Sequence, residues 1–191
     1  MKQKVSDYIA EYIAQWGIRD VFTVTGGGAM HMNDAFGHHK MLHCTYQHHE
    51  QACAMAAEAY ARLGNKMAAV CVTTGPGATN AITGVLGAWM DSIPMLVFSG
   101  QARYATTVSA SGLPLRSMGV QECNIVPVVK SLTKYAHMIV HPENIRYHLE
   151  KALYLAVNGR PGPVWLDIPL DVQGAVIETD DLKAYDPEEK S

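Results

Sequence analysis

Residues 67–101, "MAAVCVTTGPGATNAITGVLGAWMDSIPMLVFSGQ", decide the fold. An unbroken apolar run stops at Gly-Pro-Gly, a helix-compatible segment of small and apolar residues follows, and a second unbroken apolar run ends in Gly100 and Gln101. Runs of this length without polar alternation are strands buried on both faces, and a helix between two of them makes the strands parallel. The stretch therefore predicts strand, turn, helix and strand inside a sheet covered on both sides.

The flanking sequence repeats the pattern. Upstream, Val5, Tyr8, Ile9, Tyr12, Ile13 and Trp16 recur at three- and four-residue steps, which predicts a helix over 3–16 that ends at Gly17. "DVFTVTGGG" reads as a strand breaking into glycine, "AMHMNDAFG" as a short helix, "MLHCTYQ" as a strand, and residues 49–63 as an alanine-rich helix. Downstream, residues 102–123 are polar and without a period, which predicts a long functional loop. "IVPVVKSL" and "TKYAHMIV" follow as a short helix and a strand. Pro142 opens a last long helix carrying Ile145, Leu149, Ala152, Leu153 and Ala156, and "PVWLDIPLDV" is a final buried strand. The expectation is a doubly wound α/β domain over residues 1–172. It has a mostly parallel sheet of about six strands with helices on both faces, followed over 173–191 by an acidic linker or tail.

Composition narrows the function. A chain of 191 residues that is 48% hydrophobic can bury one sizeable core. A formal charge of −3 with no long basic cluster offers no footprint for nucleic acid or an anionic membrane. No apolar run reaches the ~18 residues a membrane span needs. Cys44, Cys53, Cys71 and Cys123 stand singly without C-x-x-C spacing, as reduced thiols of a cytoplasmic protein do. Small molecules and other proteins remain as partners.

Ligands of such a sheet bind beyond the carboxyl ends of its strands. Those ends are Gly26, Gly27 and Gly28, then residues 47–50, then the turn Thr74, Gly75, Pro76 and Gly77, then Gly100 and Gln101. "GGGAMH" prompts a dinucleotide reading, but His31 stands where the last glycine of that fingerprint belongs. "TTGPGATN" lacks the Lys-Ser/Thr of a phosphate loop. His31, His38, His39, His43, His48 and His49 prompt a metal reading. Adjacent histidines point apart on a helix or strand, however, and no H-x-x-x-H or H-x-E with companion cysteines accompanies them, so no metal site is predicted.

Glu50 is the remaining group. A carboxylate at a helix start ordinarily acts as a cap worth about 0.3–1 kcal/mol. Here Ala52, Ala54, Ala56, Ala57, Ala59 and Ala61 follow it, small residues that let a backbone or a ring approach closely. A carboxyl desolvated at such a place holds its proton more readily and suits general acid/base work.

"HHEQACAMAAEAYAR", the opening stretch from "TTGPGATN" to "FSGQ", and "NGRPGPVWLDIPLDVQ" together resemble the pyrimidine-binding domain of thiamine-diphosphate enzymes, most closely the acetohydroxyacid (acetolactate) synthase group. The resemblance implies a decarboxylating synthase or lyase acting on a 2-keto acid. It gives Glu50 the role of hydrogen-bonding N1′ of the aminopyrimidine and so favouring the tautomer that leads to the ylid. It also implies that Gly26 and Gly27 let backbone approach the cofactor, that Pro76 and Asn80 line the pyrimidine pocket, and that Gln121, with Gly28 and Val120, faces substrate. The cofactors implied are thiamine diphosphate, Mg²⁺ held by another domain, and FAD in some full-length synthases. The partners implied are a diphosphate-binding domain and a second copy of the chain.

Departures qualify that resemblance. Val24 and Thr25 stand where the synthases have Tyr-Pro, Val120 replaces an aromatic residue, and the loop from Gln101 to Val120 is longer than theirs. These lie on the substrate side and leave donor and acceptor open, a keto-sugar acceptor included. The Gly-Asp-Gly motif of the diphosphate domain is absent from the sequence. A fragment of a longer enzyme is therefore favoured over a natural split subunit, and a binding or regulatory domain without chemistry is the alternative.

Overall fold

The structure, a computed structural model, describes residues 1–188. Strand β1 (Lys2–Lys4) runs into helix α1 (Val5–Trp16), whose Val5, Ile9, Ala10, Ile13 and Ala14 form one buried face. Gly17 closes that helix at φ +116°, its amide donating to the carbonyls of Ile13 and Ala14. Next come β2 (Asp20–Thr23), α2 (Met30–His38), β3 (His43–Tyr46), α3 (Glu50–Gly64) and β4 (Ala69–Val72). They are followed by α4 (Pro76–Asn80), α5 (Ile82–Met90) and β5 (Met95–Gln101). The second half holds α6 (Val108–Ser111), α7 (Ile125–Val129), β6 (Tyr135–Met138) and α8 (Ile145–Val157). It ends with β7 (Pro163–Pro169), α9 (Leu170–Gly174) and β8 (Val176–Glu178).

Six strands form one sheet in the order β3-β2-β4-β5-β7-β6, and every neighbouring pair is parallel. The apolar runs of the sequence are the interior strands: β4, β5 and β7 are buried at every residue, whereas the edge strands β3 and β6 are half-buried or exposed. Side chains alternate between two cores. Leu96, Phe98, Val164, Leu166 and Ile168 face α1, α2 and α8, with Phe36, Ile9 and Leu149. Met95, Val97 and Trp165 face α3, α5 and α7, with Ala54, Val85 and Ile125. Four free cysteines are spread over this fold, with Cys53 and Cys71 in its interior, where desolvation above all pushes each thiol up to about 12.

Several elements differ in detail from expectation. The helix expected after Gly-Pro-Gly is interrupted at Ala81 into α4 and α5. The expected loop 102–123 holds a 3₁₀ turn over Tyr104–Thr106 and the short α6. The Glu122 carboxylate ties it together by accepting from the amides of Val108, Met118 and Gly119 at 2.7, 2.8 and 3.0 Å. Burial pushes the Glu122 carboxyl up, but the three amides outweigh it and hold the group below its ordinary range. The segment expected to leave the domain after residue 172 stays on it. Gln173 is buried, and β8 pairs antiparallel with β1 in a two-stranded ribbon. Farther on, the Tyr185 amide donates to Glu150 Oε2 at 2.7 Å. The last three residues, 189–191, lie outside the described part of the expected tail.

Candidate functional site

The carboxyl ends of β2, β3, β4 and β5 face one edge, and the turn between β4 and α4 is its centre. Gly75 takes φ +60°, and a Cβ there would stand 2.0 Å from the carbonyl oxygen of Gln121, so glycine is required twice over. Pro76 then starts α4 at the first helical position, where a missing N–H costs nothing. A Cβ at Gly77 would lie 2.6 Å from Thr73 Cγ2 and 3.3 Å from Glu50 Oε1. The turn is thus pressed against the carboxylate at the start of α3.

Glu50 is half-buried there, with His49 before it in extended conformation and no side-chain cap. Asn80, at the end of α4, donates its amide to Glu50 Oε2 at 2.7 Å and reaches His49 Nε2 at 3.3 Å. Glu50 Oε1 has no hydrogen-bond partner among the described residues. One oxygen is therefore anchored and the other is left to accept from, or give a proton to, a ligand atom.

Thr73 joins this carboxylate to the glycines after β2. A Cβ at Gly26 would fall 2.4 Å from Thr73 Cβ, and the Gly28 amide donates to Thr73 Oγ1 at 3.1 Å. Gly28 also offers its carbonyl to Gln173 Nε2 at 2.7 Å and lies under Gly100, where a Cβ would meet Gly28 O at 2.0 Å. Gly27 differs: nothing lies within 4 Å of the Cβ it lacks. Beside it opens a cleft of about 300 Å³ lined by Gly27, Gly28, Thr74, Gln101, Val120 and Gln121. Val120 is 84% exposed, and Gln121 holds a left-handed backbone at φ +56°.

The structure thus gathers the sequence-predicted residues into two adjoining groups. Glu50, Pro76 and Asn80 flank one side of the β4–α4 turn, and Gly28, Val120 and Gln121 line the cleft on the other, with Gly26 and Gly27 between. Thr73 packs against Gly26 and Gly77, and Thr74 and Gln101, both on the strand ends named from sequence, line the cleft; Thr73, Glu122 and Asp167 were not singled out from sequence.

Four of the six histidines between positions 31 and 49 have local partners. His38, His39 and His43 sit against Asp34, Glu11 and Asp20 at 3.1, 3.0 and 3.2 Å, and His49 meets Asn80. No group of three or more metal-ligating side chains occurs among the described residues. A larger cleft, about 710 Å³, opens at the opposite, amino end of the sheet between Trp16, Arg62, Lys66 and Ile93. It contains none of the predicted site residues, so volume alone does not mark the chemistry.

Fold and edge together define a cofactor-binding α/β domain in which a helix-terminal carboxylate faces the carboxyl ends of parallel strands. Residues 3–124 match the family described as thiamine pyrophosphate enzyme, N-terminal TPP binding domain. Acetolactate synthase 2, chloroplastic, of Zea mays is 36% identical over 174 residues, 90% of this chain and 26% of that protein. The chloroplastic acetolactate synthase of Arabidopsis thaliana is 35% identical over 174 residues, 90% and 24% of the two chains. Acetolactate synthase 2, chloroplastic, of Nicotiana tabacum is 34% identical over 181 residues, 93% and 26%. The chain belongs to the thiamine pyrophosphate enzymes, as their N-terminal TPP-binding domain, and spans about a quarter of the length of these curated relatives. No helix among the described residues is long and apolar enough to cross a membrane.

Proposed function

We propose that this domain is the cofactor-activating half of an acetolactate-synthase-like enzyme that decarboxylates a 2-keto acid and transfers the acyl unit. The observation that carries the proposal is the Glu50 carboxylate, with Oε2 held by Asn80 at 2.7 Å and Oε1, beside Gly77, without a hydrogen-bond partner among the described residues. Such an arrangement fits an aminopyrimidine ring. The oxygen held by Asn80 fixes the plane of the carboxyl group, and the other would accept a proton from, or give one to, ring N1′ of a bound aminopyrimidine. Gly27 leaves room for the ring at the neighbouring backbone, while Val120 and Gln121 form the wall nearest the keto acid. When bound, thiamine diphosphate supplies the carbon nucleophile and the electron sink.

The diphosphate and its Mg²⁺ belong, in this reading, to a second domain, because the chain has no Gly-Asp-Gly sequence. Any FAD belongs to other parts of a full-length protein. Exposed Met55, Leu86, Trp89 and Met90 on α3 and α5 support pairing with a second copy, and sedimentation of the chain at high concentration should show a dimer; a monomer would exclude it. The free thiols favour a reducing compartment, the cytoplasm in our reading.

Calorimetry with thiamine diphosphate and Mg²⁺, on this chain alone and after adding a diphosphate-binding domain, tests the proposal. Binding and keto-acid decarboxylation should appear only on complementation, and Glu50→Gln should lower the rate by about 10²–10⁴-fold. Full activity in Glu50→Gln would remove the role given to Glu50, and binding without turnover would identify a non-catalytic domain.

A further inference from the structure

Behind the cleft lies a carboxylate that the proposed chemistry does not use. Asp167, on β7, is wholly buried, and its side-chain hydrogen-bond partners are Ser99 and Gln101 of β5, each at most 1% exposed. Ser99 Oγ and Gln101 Nε2 lie 2.6 and 3.1 Å from its two oxygens. The direction of every bond follows from end groups that have only one role. The indole Nε1–H of Trp165 can only donate, and it donates to Ser99 Oγ at 2.8 Å, so the Ser99 hydroxyl hydrogen is left for Asp167 Oδ1. The amide of Ala102 can only donate, and it lies 2.9 Å from Gln101 Oε1. The Gln101 NH₂ group therefore faces the Cys123 carbonyl at 2.8 Å and Asp167 Oδ2. Both oxygens of Asp167 then accept, as they do in the ionised carboxylate, whereas protonation at Oδ1 would reverse the Ser99 contact and leave Oδ2 a weaker acceptor.

From Gln101 the chain of contacts reaches the cleft. Thr74 has one hydroxyl hydrogen and gives it to Gln101 Oε1 at 2.8 Å; the Gln121 carbonyl, 3.5 Å away, is its alternative acceptor. Gln101 also holds the Cys123 carbonyl, two residues beyond Gln121, which itself keeps a strained left-handed backbone against Gly75. A flip of the Gln101 amide would place its NH₂ against the Ala102 N–H and the Thr74 hydroxyl at once.

We propose that Asp167 is a positioning residue for the substrate wall: its carboxylate orients Gln101, and through Gln101 it holds Thr74 and residues 121–123 in the conformation that presents Gln121 to the cleft. Loss of the charge turns the charge-assisted contact between Gln101 Nε2 and Asp167 Oδ2, one of the two that fix the Gln101 amide, into a weaker neutral one and loosens that wall. The inference rests on the proposed function only for what the cleft binds. Burial pushes the Asp167 carboxyl up to about 7, so the device operates near neutrality. The Cys123 thiol is the titratable side chain that senses this charge, and burial first of all pushes it up, away from that range. Glu122, the next carboxyl along the loop, is held below its ordinary range.

The test uses this chain without cofactor, by following backbone amide and indole resonances between pH 5.5 and 8.5 (about one and a half units either side of the Asp167 value). The amides of Thr74, Ala102, Gln121 and Cys123 should shift with a common midpoint near the one shown by the Trp165 indole. That shared component should vanish in Asp167→Asn. In Gln101→Met, which keeps Asp167, the Trp165 indole should still titrate while Gln121 and Cys123 should not. If Asp167→Asn fails to fold, Gln101→Met decides alone. Persistence of the Gln121 and Cys123 shifts in Gln101→Met, movement of the indole without them in the unaltered chain, or no common midpoint in that range would each overturn the proposal. None of these readouts depends on thiamine diphosphate, so failure here is distinct from failure of the Glu50 assignment.

Discussion

Gly26 and Gly27 are neighbours with different reasons for lacking a side chain. A Cβ at Gly26 collides with the β-branched Thr73 at 2.4 Å, whereas one at Gly27 meets nothing within 4 Å. Packing explains the first, and the second lies where the proposed ring would approach. Gly26→Ala should therefore cost about 1–3 kcal/mol by overpacking. Gly27→Ala should stay within about 0.5 kcal/mol of the parent in urea denaturation, yet weaken thiamine diphosphate binding once the diphosphate domain is supplied. Unchanged cofactor affinity in a stable Gly27→Ala protein would show that the cofactor does not approach this backbone. The sequence displayed both glycines equally. It could not distinguish them because the difference lies in what β4 brings alongside, and Thr73 carries no mark of its own. Glu50 was legible because it stands at the head of a run of small residues, while Asp167 hid within "PVWLDIPLDV", where a lone acidic residue in a buried strand has no partner visible by spacing.

The alanine-rich helix was legible as an element but its neighbour was not. The small residues of α3 pack against α5 of the same chain, where a Cβ at Gly84 would lie 2.6 Å from Ala54 Cβ and 2.8 Å from the Met55 amide nitrogen. Both are fixed by helix backbone, so Gly84→Ala must part the two helices. A loss of about 1–3 kcal/mol is expected, seen as a lower urea midpoint with the same slope. A Gly84→Ala protein as stable as its parent would mean that the seam is looser than these distances indicate. The interior strands β4, β5 and β7 were read correctly because burial on both faces leaves a continuous apolar run. β1, with the sequence Lys-Gln-Lys, was not read as a strand, and its Gln3 and Lys4 fell inside the helix expected over 3–16, which starts at Val5. Its pairing with β8 at the far end of the chain rests on backbone hydrogen bonds, which leave no periodic trace in the side chains. The same holds for the loop 102–123, whose order comes from one carboxylate gathering three amides.

Across the whole molecule, the edge farthest from β3 is closed by an aromatic and basic cluster joining β6, α8 and the chain beyond β8. The His137 and His148 rings stack at 3.9 Å, the Tyr135 hydroxyl and His148 Nδ1 lie 2.7 Å apart, and Lys151 Nζ sits 5.4 to 5.6 Å from the rings of Tyr135, Tyr147 and Tyr185. Burial first, then His137 and Lys151, push His148 down to about 4, and burial likewise lowers His137. An unfolded chain takes up a proton at such a histidine near pH 6.5, before the folded chain does. Between those two values the unfolded state binds more protons, so stability rises with pH. The contribution of His148 is complete above about pH 6.5 and is lost as the pH falls toward about 4, a span worth at most about 3 kcal/mol. Surface pairs such as His39 with Glu11 also titrate in this range, so the difference between parent and variant isolates the cluster. His148→Gln removes the titrating group, and its loss of stability between pH 7.5 and 5, measured by urea denaturation, should be smaller than that of the parent. If parent and variant lose stability in parallel, the histidine stack does not couple proton uptake to unfolding, and the packing of β6, α8 and Tyr185 is indifferent to its charge.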